Sequence, residues 1–482
     1  MKVDPANGPE DRGAGASRRV VVVGGGIAGL SCAHRLAGRI DAAGRPIEIT
    51  LLEAGERTGG VIQTERLDGF LIERGPDCFI TEKPSALDLC RRVGLQDQVI
   101  GTNPDCRRSF VLRRGRLLRV PEGYQLMAPG RLLPFAASSI LSPLGKLRAA
   151  CDLILPRGPD RADESLASFV RRRFGEQVLE RLAQPLVAGI YNADPETLSL
   201  RATMPRFLEM ERSRRSLILA LRLADRRRGA GGGVSGARYS LFATLRDGLQ
   251  TLTDRLAGRL PAGSIRLGAR ALELARSGRG WAVATASGET LAADAVVLAV
   301  PANASAPLLR TVDPELSSAL ASIPYGTSAT VNLGYREADV PTPMRGFGFV
   351  VPRSEGLSLI ACSFSSLKFP GRARDGTTLL RVFLGGPWTE RSDPERLERA
   401  ARDDLRRALG ITAEPIVART AVWYRAMAQY PVGHLDRVAR IDARLDGLPG
   451  LALAGNGLRG VGIPDCIRSG EEAAERIVAG TG

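Results

Sequence analysis

The sequence predicts an α/β chain in which one nucleotide-binding domain is interleaved with a mostly helical insertion and a mixed-sheet insertion. Three observations carry this: a strand–glycine–helix–strand unit near the N-terminus, further strand and glycine segments far downstream, and two long stretches of different texture between them. At 482 residues the chain exceeds what one hydrophobic core serves, so several domains are expected.

Residues 1–17 are polar and lack an apolar core segment; they read as a disordered leader rather than a signal peptide. RVVVV (19–23) is a β-branched strand that runs into GGGIAG and then LSCAHRLAG, apolar at helical spacing. IEITLLE (47–53) is the next strand, which completes a βαβ unit within 18–82. A link (83–102) leads to the helical insertion (103–224). Its clearest helical piece is DESLASFVRRRFGEQVLERLAQPLVAGI (163–190), with Asp163-Glu164 suited to the helix start. Residues 225–240, rich in Arg and Gly, read as a loop. Strand alternation returns at 264–288 and in DAVVLAVPA (294–302), so 241–302 is the second part of the nucleotide domain. The strands ATVNLGY, GFGFVV, LSLIACSF and LLRVFLGG place a mixed-sheet domain at 303–417. A last strand, glycine run and helix make 418–482 the third part.

The net charge of +15 is almost all arginine, with Lys2, Lys83, Lys146 and Lys368 the only lysines. The arginines are scattered and no zinc-finger or aromatic RNA-binding pattern accompanies them, so no nucleic-acid partner is expected. The charge reads as solvated surface, or as a match to an anionic small molecule or lipid headgroup. Seven cysteines without a C-x-x-C point to a reduced, cytoplasmic protein with neither disulfide framework nor metal site. The only histidines are His34 and His434, and G-x-S-x-G is absent, which argues against hydrolase chemistry. No apolar run of about 18 residues, the length that would span a membrane, occurs in the sequence. The Pro-interrupted stretch 126–145 could roof a channel or make peripheral membrane contact.

Gly24-Gly25-Gly26-Ile27-Ala28-Gly29 lies between strand and helix, the context a dinucleotide needs. Gly24 allows the tight turn, Gly26 the approach of a pyrophosphate, and Gly29 close helix–strand packing. Glu53, ending the next strand, is placed for a ribose hydroxyl. Gly231-x-Gly233-x-x-Gly236 repeats the spacing but follows Arg-rich loop sequence and is discarded. Past Glu53 and Ala54 come Arg57, the pair Gly59-Gly60, and Val61. An arginine and paired glycines suit a longer cofactor, FAD rather than NAD. Gly75-Pro76-Asp77-Cys78 forms another tight turn, and the chain holds no second nucleotide motif.

These segments, with DAVVLAVP and the tail GNGLRGVGIPDCI, resemble the amine-oxidase-like FAD superfamily. Within it, IERGPDCF, GIYNAD, RSLIL, DGLQTL and AQYPVGH are similar to the porphyrinogen oxidases of haem biosynthesis. The chain resembles the bacterial coproporphyrinogen III oxidase family more than the membrane-bound protoporphyrinogen oxidases, across about 19–479. The resemblance implies a Rossmann-like FAD domain (α/β and α+β overall) carrying a mixed-sheet substrate domain and a helical insertion. It also implies oxidation of coproporphyrinogen III by dioxygen, with hydrogen peroxide formed, in three two-electron rounds. Hydride would pass from a meso carbon to flavin N5, so no side chain need act as a catalytic nucleophile.

The resemblance further places Ala271 at the adenine and Trp423, Val461, Gly462 and Ile463 at the flavin. The glycine-rich backbone from Gly455-Asn456 to Ile463 would lie against the ring, with the following helix aimed at it. Lys83, Gly189, Ile190 and Phe383 fall around the macrocycle pocket. Lys83 would pair with a propionate or be an ordinary surface lysine; Ile190 and Phe383 would sandwich the macrocycle or simply pack. Protoporphyrinogen oxidases carry a propionate-binding arginine where Ser109 stands here, which favours coproporphyrinogen III over protoporphyrinogen IX. The family's Tyr-Ala-Gly-Asp is replaced by Tyr191-Asn192-Ala193-Asp194. An amine oxidase, a carotenoid desaturase, and a non-catalytic carrier on the same fold are the rival readings. The intact tail argues against the carrier. Partner enzymes of the haem pathway are compatible with the resemblance.

Overall fold

The structure, a computed structural model, describes residues 17–159, 161–230, 241–341 and 345–480. The expected leader, save Ser17, and the discarded Gly231–Gly236 triplet lie outside them.

Five parallel strands form the central sheet in the order Ile265–Arg266, Ile47–Leu52, Arg18–Val23, Ala295–Leu298, Leu451–Leu453. Alternation along Arg18–Val23 explains its two-sided burial. Val20 and Val22 enter one core with the helices Ile27–Leu36 and Ile463–Ala479. Val21 and Val23 enter another with Trp281 and Val283 of a three-stranded antiparallel sheet (Ala271–Ser277, Gly280–Thr285, Thr290–Ala293). The two helices cross at close range: a Cβ on Gly470 would stand 2.1 Å from the Ala28 carbonyl oxygen. The last helix is thereby locked to the first.

A seven-stranded sheet forms the second layer system, in the order Val417–Ala428, Tyr325–Arg336, Thr377–Gly385, Leu359–Phe364, Gly348–Val350, Ser109–Arg113, Arg116–Arg119. Helix Pro394–Leu409 buries Leu397, Ala401 and Leu405 against it. Two of its pieces fall in segments expected elsewhere. The hairpin from Ser109 to Arg119 lies inside the expected helical insertion, turning through Arg114 and Gly115, both at positive φ. Val417–Ala428 lies largely inside the expected third part of the nucleotide domain, paired along Tyr325–Arg336.

The helical region also differs in detail from its sequence reading. Asp163 does not start the helix; Ser165 does, its Oγ accepting from the Ser168 N–H at 3.1 Å. The Asp163 carboxylate is used instead by the Ser199 hydroxyl (2.7 Å) and the Gly433 N–H (3.1 Å). The helix then breaks at Gly175 (φ +89°), continues through a π-turn at Leu179–Ala183, and resumes as Gln184–Tyr191. Helix Leu217–Ala230 takes in 225–230 of the expected loop, through the good helix formers Arg and Ala; the rest of that expectation lies outside the described residues. Among the described residues no helix is long and apolar enough to cross a membrane.

Candidate active site

The first glycine motif is built as its spacing suggests. Gly24 has φ +109°, and a Cβ there would meet the Ala299 carbonyl at 2.8 Å. A Cβ on Gly29 would lie 1.9 Å from the Gly24 carbonyl oxygen, so helix and strand touch through backbone alone. Gly26, the residue preceding helix Ile27–Leu36, is different: a Cβ there would meet nothing within 4 Å. That helix has no side-chain cap, so no side chain takes up the N–H groups of its first turn.

Glu53 holds this turn. Its Oε2 accepts from the Gly25 N–H at 2.7 Å and its Oε1 from the Gly55 N–H at 2.7 Å. Each oxygen retains a lone pair for a hydroxyl. The Ala269 N–H donates to the Glu53 carbonyl (2.8 Å), which draws the start of strand Ala271–Ser277, and so Ala271, to the same edge. Ala54 is exposed beside it. Arg57 is spent on backbone: its guanidinium donates to the carbonyls of Thr58 (2.8 Å), Gly60 (2.7 Å) and Ile62 (3.1 Å). It shapes the Gly59–Val61 loop. The Gly59 N–H then donates to the Gly25 carbonyl (2.8 Å), and Gly60 packs over Gly26.

From there the segments chain together. A Cβ on Gly75 would stand 1.6 Å from the Val61 carbonyl oxygen. The Arg74 carbonyl accepts from Trp423 Nε1 (2.9 Å) and from the Thr330 hydroxyl (3.0 Å). Asn456 Nδ2 donates to the Ala426 carbonyl (2.9 Å), on the same strand as Trp423. Gly455 (φ +124°) again faces open space, its N–H held by Ser469 Oγ at 3.1 Å. Val461 and Gly462 lead into Ile463, where a second helix begins without a side-chain cap. Two open helix N-termini and two glycines with vacant Cβ directions thus border one continuous wall.

Asp77 and Cys78 are engaged more tightly than a turn requires. Lys368 Nζ lies 2.9 Å from Asp77 Oδ2 and 3.3 Å from Cys78 Sγ, while the Cys78 thiol donates to Asp77 Oδ1 at 3.2 Å. Burial alone would push the Asp77 carboxyl up, but the charges of Lys368 and Arg381 hold it well below the usual carboxylate range. Burial and the neighbouring carboxylate push the Cys78 thiol up to about 12, so it is no nucleophile. Pro76 sits between, half-buried.

The residues expected around a substrate divide. Gly189 and Phe383 both border Ala361: a Cβ on Gly189 would approach its Cβ at 3.7 Å, and Phe383 is its cross-strand neighbour. Ile190, beside Gly189 at the end of its helix, is 47% exposed, so it is not core packing. Lys83 is already partnered. Its Nζ lies 2.8 and 2.7 Å from the two carboxylate oxygens of Asp465, in the first turn of the last helix.

Several residues escaped the sequence reading. Tyr430 donates to the Asn456 carbonyl (2.6 Å) and accepts from the Gly460 N–H (2.8 Å). Its ring stacks on His434 at 4.0 Å, and His434 Nε2 donates to the Leu458 carbonyl (2.9 Å). Tyr325 bridges the Ala302 N–H (2.8 Å) and Asn456 Oδ1 (3.3 Å). These rings are the scaffold of the C-terminal glycine run. Arg381, buried in a strand, donates to the Gly75 carbonyl and lies over the Phe383 ring at 4.9 Å. Its Nε and Nη1 find no partner among the described residues. An arginine inside the apolar strand LLRVFLGG was the signal for it.

Comparison with known proteins agrees with this geometry. Residues 27–478 match the family of flavin containing amine oxidoreductases.

The chain belongs to that family.

It is 36% identical over 461 residues to the coproporphyrinogen III oxidase of Bacillus subtilis (strain 168), covering 95% of this chain and 97% of the relative. It is 37% identical to the coproporphyrinogen III oxidase of Propionibacterium freudenreichii subsp. freudenreichii, covering 95% and 90%. The crystal structure of an Exiguobacterium sp. 255-15 protein assigned as a protoporphyrinogen oxidase superposes with a TM-score of 0.84 at 33% identity, over 96% of this chain and 99% of that one. The family's flavin makes FAD the cofactor. The residues present fit it: Gly26 and Gly455 leave the cradle a Cβ would fill, and both uncapped helix N-termini suit negative charge.

Proposed function

We propose that this protein oxidises coproporphyrinogen III to coproporphyrin III with dioxygen, forming hydrogen peroxide, in porphyrin biosynthesis. The observation that carries the reading is the identity to two coproporphyrinogen III oxidases along 95% of the chain. FAD, when bound, supplies the two-electron acceptor that the side chains lack.

The chain's own residues then bind and orient. Ile27, Ala28 and Gly29 would offer the first helix N-terminus to the pyrophosphate, and Glu53 would take a ribose hydroxyl. Arg57 would keep the Gly59–Val61 loop in shape, and Ala271 would meet the adenine. Gly75–Cys78, Trp423 and the run from Gly455 to Ile463 would line the ring system. Trp423 is fixed for that by its bond to the Arg74 carbonyl. Gly189, Ile190 and Phe383 would form walls for an apolar macrocycle. Lys83, with half its side chain exposed, would turn toward a propionate from its place on Asp465. Ser109, half-buried at the start of its strand, stands where protoporphyrinogen oxidases carry a propionate-binding arginine, which favours coproporphyrinogen III. Peripheral membrane contact through 126–145 and haem-pathway partners in the cytoplasm complete the proposal.

The test is oxidation of coproporphyrinogen III against protoporphyrinogen IX by the flavin-loaded protein in air, followed by porphyrin fluorescence. A faster coproporphyrinogen rate is expected. A protoporphyrinogen preference would overturn the substrate assignment, and oxidation of neither would overturn the reaction.

A further inference from the structure

Outside the flavin wall, the helical region carries a groove of about 540 Å³ lined by Arg157, Arg214, Arg215, Arg222, Leu219 and Leu223 among others. Four arginines line one concavity, and none of the four forms an ion pair among the described residues. Nearby, Arg172 pairs with both Glu164 and Glu211, and Arg171 with both Glu176 and Glu196. In the groove, Arg157 and Arg215 are held by backbone carbonyls only, Arg157 by Arg212 and Arg215 by Leu153 (2.9 Å). Arg214 and Arg222 have no protein partner among the described residues.

The groove is rigidly supported from behind. Arg173, essentially buried, donates to Asp152 Oδ1 (2.7 Å) and to the carbonyls of Pro156 (2.8 Å) and Arg215 (2.8 Å). Asp152 in turn accepts from the Ser216 hydroxyl (2.6 Å) and the Ile218 N–H (3.0 Å). One buried ion pair thus fixes both walls: the segment before Arg157 and the junction between helices Pro205–Arg214 and Leu217–Ala230. At that junction Arg215 adopts φ +63°, a costly conformation for a residue with a side chain, which this network sustains. Unpaired like charges held together by a rigid shell repel one another until an oxyanion enters.

The geometry points to this groove as a binding site for a small ligand with two or more negative charges on an apolar body. Arg157, Arg214, Arg215 and Arg222 take the oxyanions, and Leu219 and Leu223 the apolar part. The shape is concave, which suits a small molecule rather than a flat surface. The site is separate from the flavin wall and does not rest on the proposed reaction.

The test titrates the flavin-loaded protein with 1-naphthyl phosphate, naphthalene-1,4-dicarboxylate and inorganic phosphate, by calorimetry and naphthyl fluorescence. At least one naphthyl probe is expected to bind one-to-one, about tenfold or more tighter than inorganic phosphate, and to weaken as salt rises. The tighter of the two identifies the oxyanion. The R214A/R222A variant should lose about tenfold or more in affinity, and R214K/R222K should keep part of it. Flavin absorbance and melting temperature should stay unchanged, since neither side chain holds the fold. The proposal is overturned if neither naphthyl probe binds below about 1 mM, if R214A/R222A binds as wild type, or if inorganic phosphate binds equally well.

Discussion

Lys83 and Asp465, 382 residues apart, form a two-pronged ion pair that ties the segment before helix Ser85–Arg92 to the first turn of the last helix. Asp465 is nearly buried while half of the Lys83 side chain is exposed, so the cation can leave and the carboxylate cannot. This makes two roles separable. If Lys83 serves a propionate, K83M raises KM for coproporphyrinogen III in wild type and in a D465N background alike. A three- to fivefold rise, under about 1 kcal/mol, is expected for so exposed a charge. Steady-state kinetics on the four-variant cycle checks it; an effect that vanishes with D465N would leave Lys83 a structural residue only.

Gly26 and Gly29 stand three residues apart for opposite reasons. At Gly26 the backbone (φ −71°, ψ 178°) suits alanine and a Cβ meets no protein atom. G26A is therefore expected to leave the apoprotein as stable as wild type or about 0.5 kcal/mol better, yet to weaken FAD binding at least about tenfold by filling the phosphate approach. At Gly29 the same methyl would overlap a backbone oxygen. G29A is expected to cost about 3 kcal/mol or more. Thermal melts of apoprotein, with FAD fluorescence on equilibrium dialysis, separate the two outcomes.

This contrast also marks what the sequence could reveal. The Gly24–Gly29 turn and Glu53 were readable because their partners lie within one βαβ unit, where local spacing dictates geometry. Lys83–Asp465, Tyr430–Asn456 and Arg381–Gly75 were not, because each bond joins segments that only tertiary packing brings together. The hairpin at Ser109–Arg119 was missed for a similar reason. Its short strands acquire their meaning from a parallel pairing with Gly348–Val350, over two hundred residues on. Arg57 stands out in the sequence beside Gly59-Gly60, and in the structure its guanidinium holds loop carbonyls.

His434 gives a pH dependence. The ring is fully buried, stacked on Tyr430, and its Nδ1 lacks a partner among the described residues. Burial lowers its proton affinity below the ordinary value of 6.5; the bond to Leu458 opposes this, and Arg437 and Arg459 add to it. The unfolded chain then binds more protons than the native one, so stability falls as pH drops below about 6.5 and until the lowered native value is passed. His34, shifted the same way by burial and by Arg92 and Arg259, adds to the slope. Each contributes at most about 1.4 kcal/mol per pH unit. Denaturant unfolding between pH 7 and 5 should show the loss, and H434Q should flatten it while lowering stability at pH 7. An unchanged slope in H434Q would refute the assignment.

The Lys368–Asp77 pair supplies the sharpest test of the wall beside Gly75. Both side chains are largely buried, and Arg381 adds a second cation near Asp77. Burial would lower the Lys368 value, but Asp77 and Cys78 hold it above its ordinary range. Removing only the cation strands a carboxylate in a poorly solvated place, so K368M is expected to cost about 3 kcal/mol. D77N/K368M removes both charges and should recover much of that. The signs of the pH effects follow. Because the native Asp77 value is depressed, its stabilisation is full above the unfolded value near 3.8 and is lost as pH falls through the native one. The raised Lys368 value gives stabilisation that is full below 10.5 and is lost as pH rises through the native value. Between those limits the pair is at full strength, so the difference between wild type and D77N/K368M should stay flat from pH 5 to 9. If K368M unfolds no more readily than wild type, the pair is no determinant of this wall.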